Sequence, residues 1–393
     1  MHRKLQISPL SIFLFSLMIC FSGCSSPRVE NDRTKWILVN SDAANLKVYG
    51  LPWFSENRDF VRLPESSKAL IEKENQTAWD ESHCPSGARV RFVTDSSSIR
   101  IRVLHGNERI SLYHMASSAV AGMDIYETEN GVQNYRGTSK PISGTESYEH
   151  LYFENLPKKM REFTLYLPTY AQLQKLEIGV DADAELISPN LYRLTKPVVF
   201  YGTSITQSCC ASRGSNGFVP LLSRLLNIDV VNLGFSGAGK GEAWMAELVA
   251  QIDASAYVID SVANMGESVN GVSLMRLNYN KFVKIIRSKR PNVPIILMTR
   301  TRFADVRMPW GEQVQDTDES YRGLHVPLYE TYKEMKSKGD SKLWIFDASQ
   351  AVPRSPEHLS VDGVHLTDQG FAAVARSLAP LLDKALKGMA PNQ

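Results

Sequence analysis

Five short apolar runs recur in the second half of the chain, at 198–201, 229–233, 256–260, 293–299 and 343–347. Amphipathic stretches such as 241–252, 273–288 and 321–337 lie between them. Strands this continuously apolar are buried on both faces, and helical crossovers make them parallel, with helices above and below the sheet. Ligands of such sheets sit beyond the carboxyl ends of the strands. Ser204, Gly237 and Asn264 each fall just past such an end, which places a crevice there.

The preceding part has a different texture. Ile99-Arg100-Ile101-Arg102-Val103 is a period-two strand with one apolar face, and residues 88–93 and 163–167 look similar. Gly, Ser, Asn and Pro clusters separate such runs, and helical periods are few, which argues a β-sandwich. The expected organisation is a β-sandwich over 35–190 followed by an α/β domain over 191–389. Pro189 and Pro197 stiffen a short join, so the sandwich is expected to pack near the mouth of the crevice, the alternative being a plain spacer.

Several residues in the α/β part have chemistry to offer. Ser204 follows its strand at once, where a helix could open; it fits a nucleophile beside helix N–H groups, or an ordinary N-cap. Asp362-Gly363-Val364-His365 sets a carboxylate three residues before a histidine. The carboxylate can hold Nδ1–H and leave Nε2 as a base, or the pair can be a loop histidine beside a capping aspartate. Asn264 fits an amide donor to an oxyanion or a turn asparagine. Gly234 to Lys240 fits the phosphate-cradling G-x-x-x-x-G-K, and residues 257–260 would pass for the strand and acid that hold Mg²⁺. Gly241, however, stands where that motif needs Ser or Thr, so the nucleotide reading is set aside.

Together these pieces resemble the SGNH (GDSL-like) hydrolases. Gly202-Thr203-Ser204 is similar to the family's GDS block, with Thr203 in place of Asp. Residues 232–237, Asn-Leu-Gly-Phe-Ser-Gly, resemble its glycine block, Asn264 its asparagine block and Asp362 to His365 its D-x-x-H block. Ala238 stands where relatives often carry a polar residue. Gly122-Met123-Asp124-Ile125-Tyr126 resembles the GxDLY motif of an N-terminal β-domain that precedes some bacterial SGNH esterases. No G-x-S-x-G elbow of the ordinary α/β-hydrolases occurs. The resemblance implies a three-layer α/β/α hydrolase domain behind a jelly-roll-like sandwich, with neither metal nor cofactor. It also implies Ser204 as nucleophile, His365 as base, Asp362 as its orienting partner, and an oxyanion hole from the N–H groups of Ser204 and Gly237 with the Asn264 amide. The implied substrate is an acyl ester, small or polysaccharide, with acetyl esters of carbohydrate first. Acyl transfer to a sugar or natural-product hydroxyl, and a dormant glycan-binding protein, are the alternatives. The polar segment 303–323, with Arg302, Arg307, Trp310 and Tyr321, is either a roof over the site or a plain surface loop.

The N-terminus reads as an export signal. Arg3 and Lys4 precede an apolar stretch from Ile12 to Phe21, too short to span a bilayer. Ser22-Gly23-Cys24 then resembles the bacterial lipobox, with Phe21 where leucine is usual. The expectation is a lipoprotein signal over 1–23, lipid on Cys24 as a membrane anchor, a tether over 24–34, and a place in the outer membrane or periplasm; the alternative is an ordinary secretory signal with a chance cysteine. Arg3 and Lys4 account for the formal net charge of +2, so the remaining chain is near neutral and offers no basic stripe for nucleic acid. Of the remaining cysteines, Cys84 could pair with one of the adjacent Cys209 and Cys210, which leaves a free thiol. No His/Cys spacing marks a zinc site.

Overall fold

The computed structural model describes residues 33–392, apart from 42–44, 108, 267, 308–312, 315 and 355–356. Cys24 with its signal segment, and Trp310, therefore lie outside the described residues.

Among the described residues, ten strands and three α-helices make up the first part. The strands are β1 (Thr34–Leu38), β2 (Lys47–Tyr49), β3 (Arg89–Thr94), β4 (Ile99–His105), β5 (Asp124–Glu129), β6 (Val132–Thr138), β7 (Ser147–Phe153), β8 (Arg161–Tyr166), β9 (Leu173–Asp181) and β10 (Leu186–Ile187). The helices are α1 (Phe54–Asn57), α2 (Lys68–Ser82) and α3 (Ser117–Val120). One antiparallel sheet runs β1-β9-β4-β7; the other runs β10-β3-β8-β5-β6, with β2 on the edge of β3. In β4, Ile99, Ile101 and Val103 are buried between the sheets with Phe92, Phe163 and Ile178, while Arg102 faces outward and pairs with Glu149 at 3.0 Å. The period-two pattern is thus read out directly as inside and outside.

β3 departs from that pattern for a physical reason. Its Arg89 and Arg91 are as buried as its apolar residues, because the outer face of this sheet packs on the second part of the chain. Arg89 donates to Asp229 at 2.5 Å, to the Tyr192 hydroxyl at 2.7 Å and to the Val230 carbonyl at 3.1 Å. Buried guanidinium groups persist only when paired in this way.

The second part is built on β11 (Val198–Gly202), β12 (Val230–Gly234) and β13 (Ala256–Asp260). The short ribbon β14–β15 (Ser268–Val269, Val272–Ser273) follows, then β16 (Ile295–Met298), the ribbon β17–β18 (Val306–Arg307, Gln313–Val314) and β19 (Leu343–Phe346). Five strands pair in parallel in the order β12-β11-β13-β16-β19. Alternate residues of each strand enter opposite cores. Val199, Tyr201 and Ile259 meet α5 (Ala243–Gln251), α6 (Leu274–Lys289) and α7 (Asp318–Ser337) on one face. Val198, Phe200 and Val258 meet α4 (Phe218–Leu226) and α8 (Asp368–Ala385) on the other. The expected three layers are present. The chain leaves β11 for one neighbour, β12, and then crosses to the other, β13, so the switch point lies at the carboxyl end of β11.

The helix α2 was not legible as a period, and it belongs to both parts. Ile71, Ala78 and Trp79 on α2, with Leu63 before it, are buried in the same core as α5 and α6. The Asp124 carboxylate, at the start of β5, accepts the Ser215 N–H at 2.9 Å, and the Tyr126 hydroxyl meets the Ser215 hydroxyl at 2.9 Å. The stretch Gly122 to Tyr126 thereby ties the sandwich to the turn that starts α4. Residues 34–393 accordingly form one compact unit.

Candidate active site

Ser204 is the second residue past β11, but no regular helix opens there. Residues 204–210 form successive turns, and the next long helix begins at Phe218. The expected helix opening is corrected by local competition. The Thr206 hydroxyl accepts the Thr203 N–H at 3.2 Å and donates to Asp260 at 2.8 Å, and Ser208 and Cys210 take left-handed φ values of 79° and 69°. Short polar side chains that bond nearby backbone in this way favour turns over helix.

The turns hold Ser204 against the last loop of the chain. Ser204 Oγ lies 2.9 Å from His365 Nε2, and His365 Nδ1 lies 2.7 Å from Asp362 Oδ2. Both Ser204 and His365 are nearly buried, at 8% and 7% exposure, so their hydrogen bond is shielded from water. Asp362 Oδ1 takes the N–H groups of Val364 at 3.0 Å and His365 at 2.7 Å. Gly363 makes this tight return with φ of 88°, which a side chain would strain. Burial by itself would raise the Asp362 carboxyl. The hydrogen bond and charge of His365, with the two N–H groups, outweigh it and hold the carboxyl at about 2. His365 is raised: burial opposes its cation, but the bond to Asp362 and then contact with Cys209 prevail.

The glycine block closes the other side. Phe235 N–H donates to the Gly202 carbonyl at 3.1 Å, and a side chain at Gly239 would run into that same carbonyl. Gly237 is exposed with φ of 68° and open space around its Cα. Its N–H and that of Ser204 bond to no other described group. Asn264 sits on a 3₁₀ turn after β13, its amide donating to the Phe235 carbonyl at 3.3 Å. The structure therefore gathers Ser204, Gly237, Asn264, Asp362 and His365 at the switch point.

A supporting layer escaped sequence reasoning. The buried Arg62 donates to the Asn232 and Gly234 carbonyls at 3.0 and 2.5 Å and lies over the Phe235 ring. Gln207 takes the Ser236 N–H at 2.8 Å and gives its own amide to Glu81 at 2.7 Å. Asp260, which passes in the sequence for a magnesium ligand, is fully buried under Thr206; burial pushes its carboxyl up to about 7 against that hydrogen bond. No motif marks Arg62, Glu81 or Gln207, because their partners are brought to them by long-range packing: main-chain atoms for Arg62 and Gln207, and the Gln207 amide for Glu81.

His114 was missed as well. It lies on a short turn of the first part, its ring 5.5 Å from that of His365 and stacked on exposed Tyr113. Its Nε2 is 3.2 Å from Cys209 Sγ, which in turn is 3.8 Å from Cys210 Sγ. Cys84, Cys209 and Cys210 are all free and buried, so the disulfide that the sequence left open does not form. Hydrogen bonding from Cys210 first, then from His114 and His365, holds the Cys209 thiol well below its ordinary range despite burial. Of the polar segment, Arg302 and Tyr321 are turned inward, onto Asp316 at 2.7 Å and onto the Arg300 carbonyl at 3.0 Å. The segment does reach the triad loop, where Ala304 N–H donates to the Gly363 carbonyl at 2.8 Å.

Comparisons with known proteins agree with this fold. Residues 195–383 match the GDSL-like lipase/acylhydrolase family, and residues 34–186 match the N-terminus of SGNH-hydrolase-type esterases. A GDSL-like lipase from Bacteroides ovatus is 26% identical, with a TM-score of 0.76 over 90% of this chain and 98% of that one. The salicylyl-acyltransferase SsfX3 from a tetracycline biosynthetic pathway is 18% identical, with a TM-score of 0.70 over the same shares, 90% and 98%. A family two carbohydrate esterase from Cellvibrio japonicus is 11% identical, with a TM-score of 0.58 over 90% and 98%. No curated protein matches the chain. The chain belongs to the SGNH (GDSL-like) hydrolases and carries the GxDLY-type domain at its N-terminal end.

Proposed function

We propose that the protein is an exported serine esterase that removes acyl groups, acetyl first, from carbohydrate. The hydrogen-bonded series Ser204–His365–Asp362 carries the reading. Ser204 Oγ attacks the ester carbonyl while His365 Nε2 takes its proton, and Asp362 holds the imidazolium that forms. The oxyanion receives the N–H groups of Ser204 and Gly237 and the Asn264 amide. Losing one such donor costs about 3–4 kcal/mol of barrier. His365 then returns the proton to the leaving alcohol, and a water deprotonated by His365 releases the acid. Every step is carried by these side chains and N–H groups.

Two observations support a sugar as the alcohol. The fold is shared with a family two carbohydrate esterase. At the rim, Tyr113 is 69% exposed, an aromatic surface of the kind on which a sugar face packs. A panel of acetylated polysaccharides, with p-nitrophenyl acetate as reference and Ser204→Ala as control, tests the reading; release of acetate from none of them would remove the carbohydrate assignment. The fold shared with SsfX3 favours acyl transfer as the second reading. Adding a sugar alcohol and measuring how acyl product divides between water and acceptor decides between them. Lipidation at Cys24 belongs to the same proposal: Cys24→Ser is expected to move the protein out of the membrane fraction.

A further inference from the structure

We propose that His114, Cys209, Cys210 and His365 form a binding site for a zinc-type divalent cation, and that its occupation takes His365 away from Ser204. One ligand atom from each residue lies within 4.8 Å of all the others. A tetrahedral zinc site with bonds of about 2.3 Å to sulfur and 2.0–2.1 Å to nitrogen sets its ligand atoms roughly 3.3–3.8 Å apart. Cys209 Sγ already stands 3.2 Å from His114 Nε2 and 3.8 Å from Cys210 Sγ. Side chains of adjacent residues usually diverge; the left-handed φ of 69° at Cys210 brings these two sulfurs to one side.

The chemistry of the set is consistent. Two thiolates and two neutral imidazoles balance the charge of a divalent ion, and reaching that state releases protons to water. Sulfur with imidazole selects zinc-like ions over magnesium or calcium. Asp362 holds His365 at Nδ1, the arrangement that orients a metal-bound imidazole through its second nitrogen. Among the described residues the His114 ring has no other hydrogen bond: its Nδ1 is buried without a partner, and Nε2 faces Cys209. The sequence concealed the site because His114 comes from the sandwich part, and no local spacing records its approach.

A bound ion would occupy the lone pair with which His365 accepts the Ser204 proton, so zinc would act as a reversible brake. This consequence rests on the esterase reading, whereas the binding does not. The first measurement is therefore made on reduced, full-length Ser204→Ala with cobalt(II). We expect one equivalent to bind, with sulfur-to-cobalt charge transfer in the near ultraviolet and the intense visible bands of a tetrahedral ion. The second titrates zinc against ester hydrolysis by the reduced wild type, His114→Gln and Cys210→Ser, each scaled to its own rate in chelator. Inhibition reversed by chelator and weakened at least about tenfold in both variants is expected. A cobalt complex without thiolate charge transfer would overturn the site. So would equal zinc sensitivity in all three proteins, which would mean metal on His365 alone, or a Cys209–Cys210 disulfide that resists reduction.

Discussion

The Asp124 carboxylate in the sandwich accepts the Ser215 N–H of the hydrolase part at 2.9 Å, 91 residues further along the chain. Asp124 is almost fully buried, so its partner is not optional. Together with Arg89 on Asp229 and Trp79 in the hydrolase core, this contact makes the first part a structural component of the second. A fragment starting near residue 191 would expose the apolar surface that Leu63, Ile71 and Trp79 cover. It is expected to aggregate or to lose activity. A soluble, monomeric, fully active fragment would reduce the sandwich to a spacer.

Ser204→Ala and His365→Ala are each expected to abolish ester hydrolysis with the fold retained. Because the two groups act as one unit, the double variant should be barely slower than either single one. Fully additive losses, measured as kcat/KM with circular dichroism as the folding control, would contradict the assignment.

Removing the Asn264 amide tests the oxyanion site. Asn264→Ala is expected to lower kcat by roughly 10²–10³-fold with KM little changed, since the donor acts on charge that develops only in the transition state. A change confined to KM would make Asn264 a ground-state contact.

The pH dependence follows from the direction of the His365 shift. The base works when neutral, so kcat/KM should rise with pH, and its inflection should lie above 6.5 because Asp362 and Cys209 raise the imidazole. Asp362→Asn removes the largest raising contact; the inflection should move down while the plateau falls by a factor on the order of 10³–10⁴. Profiles are recorded in chelator. An inflection indifferent to Asp362→Asn would break the link between the two residues.

Asp260 yields a stability prediction with the opposite sense to most carboxylates. Its folded value, raised by burial to about 7, exceeds the unfolded one, so the folded chain holds the extra proton. The contribution is complete below the unfolded pKa and is lost as pH rises towards 7, by at most ~4 kcal/mol. Asp260→Asn should gain on the wild type in thermal midpoint between pH 4 and pH 8. Parallel curves would mean that Asp260 is ionised in the fold or that water reaches it.

The sheet and its crevice were legible because fully buried parallel strands leave continuous apolar runs, as at Val198 to Tyr201. Ser204, Gly237 and Asn264 were legible because strand ends place them by topology, and Asp362 and His365 because a carboxylate three residues before a histidine is a recognisable spacing. What stayed hidden is whatever depends on the outer face of one part meeting another. Arg89 and Arg91 alternate with apolar residues and are nonetheless interior, and α2 carries no continuous period because Asn75, at φ −159° and ψ 78°, interrupts it midway. His114 is a single histidine on a turn, and only the docked sandwich gives it neighbours. Ser204 was placed correctly at its strand end, but the helix expected to follow gave way to turns held by Thr206 and Asp260.

Ser204 and His365 are separated by 161 residues of chain. The hydrogen bond between them can close only after the sheet, α4 and the final loop have docked, so it records the completion of the whole structure. Regain of turnover after dilution from denaturant should therefore lag behind regain of secondary structure, and any nonsense change before codon 362 should leave a serine with nothing to activate it. Ester hydrolysis, in a chain wired this way, is an integrity assay for the molecule that performs it.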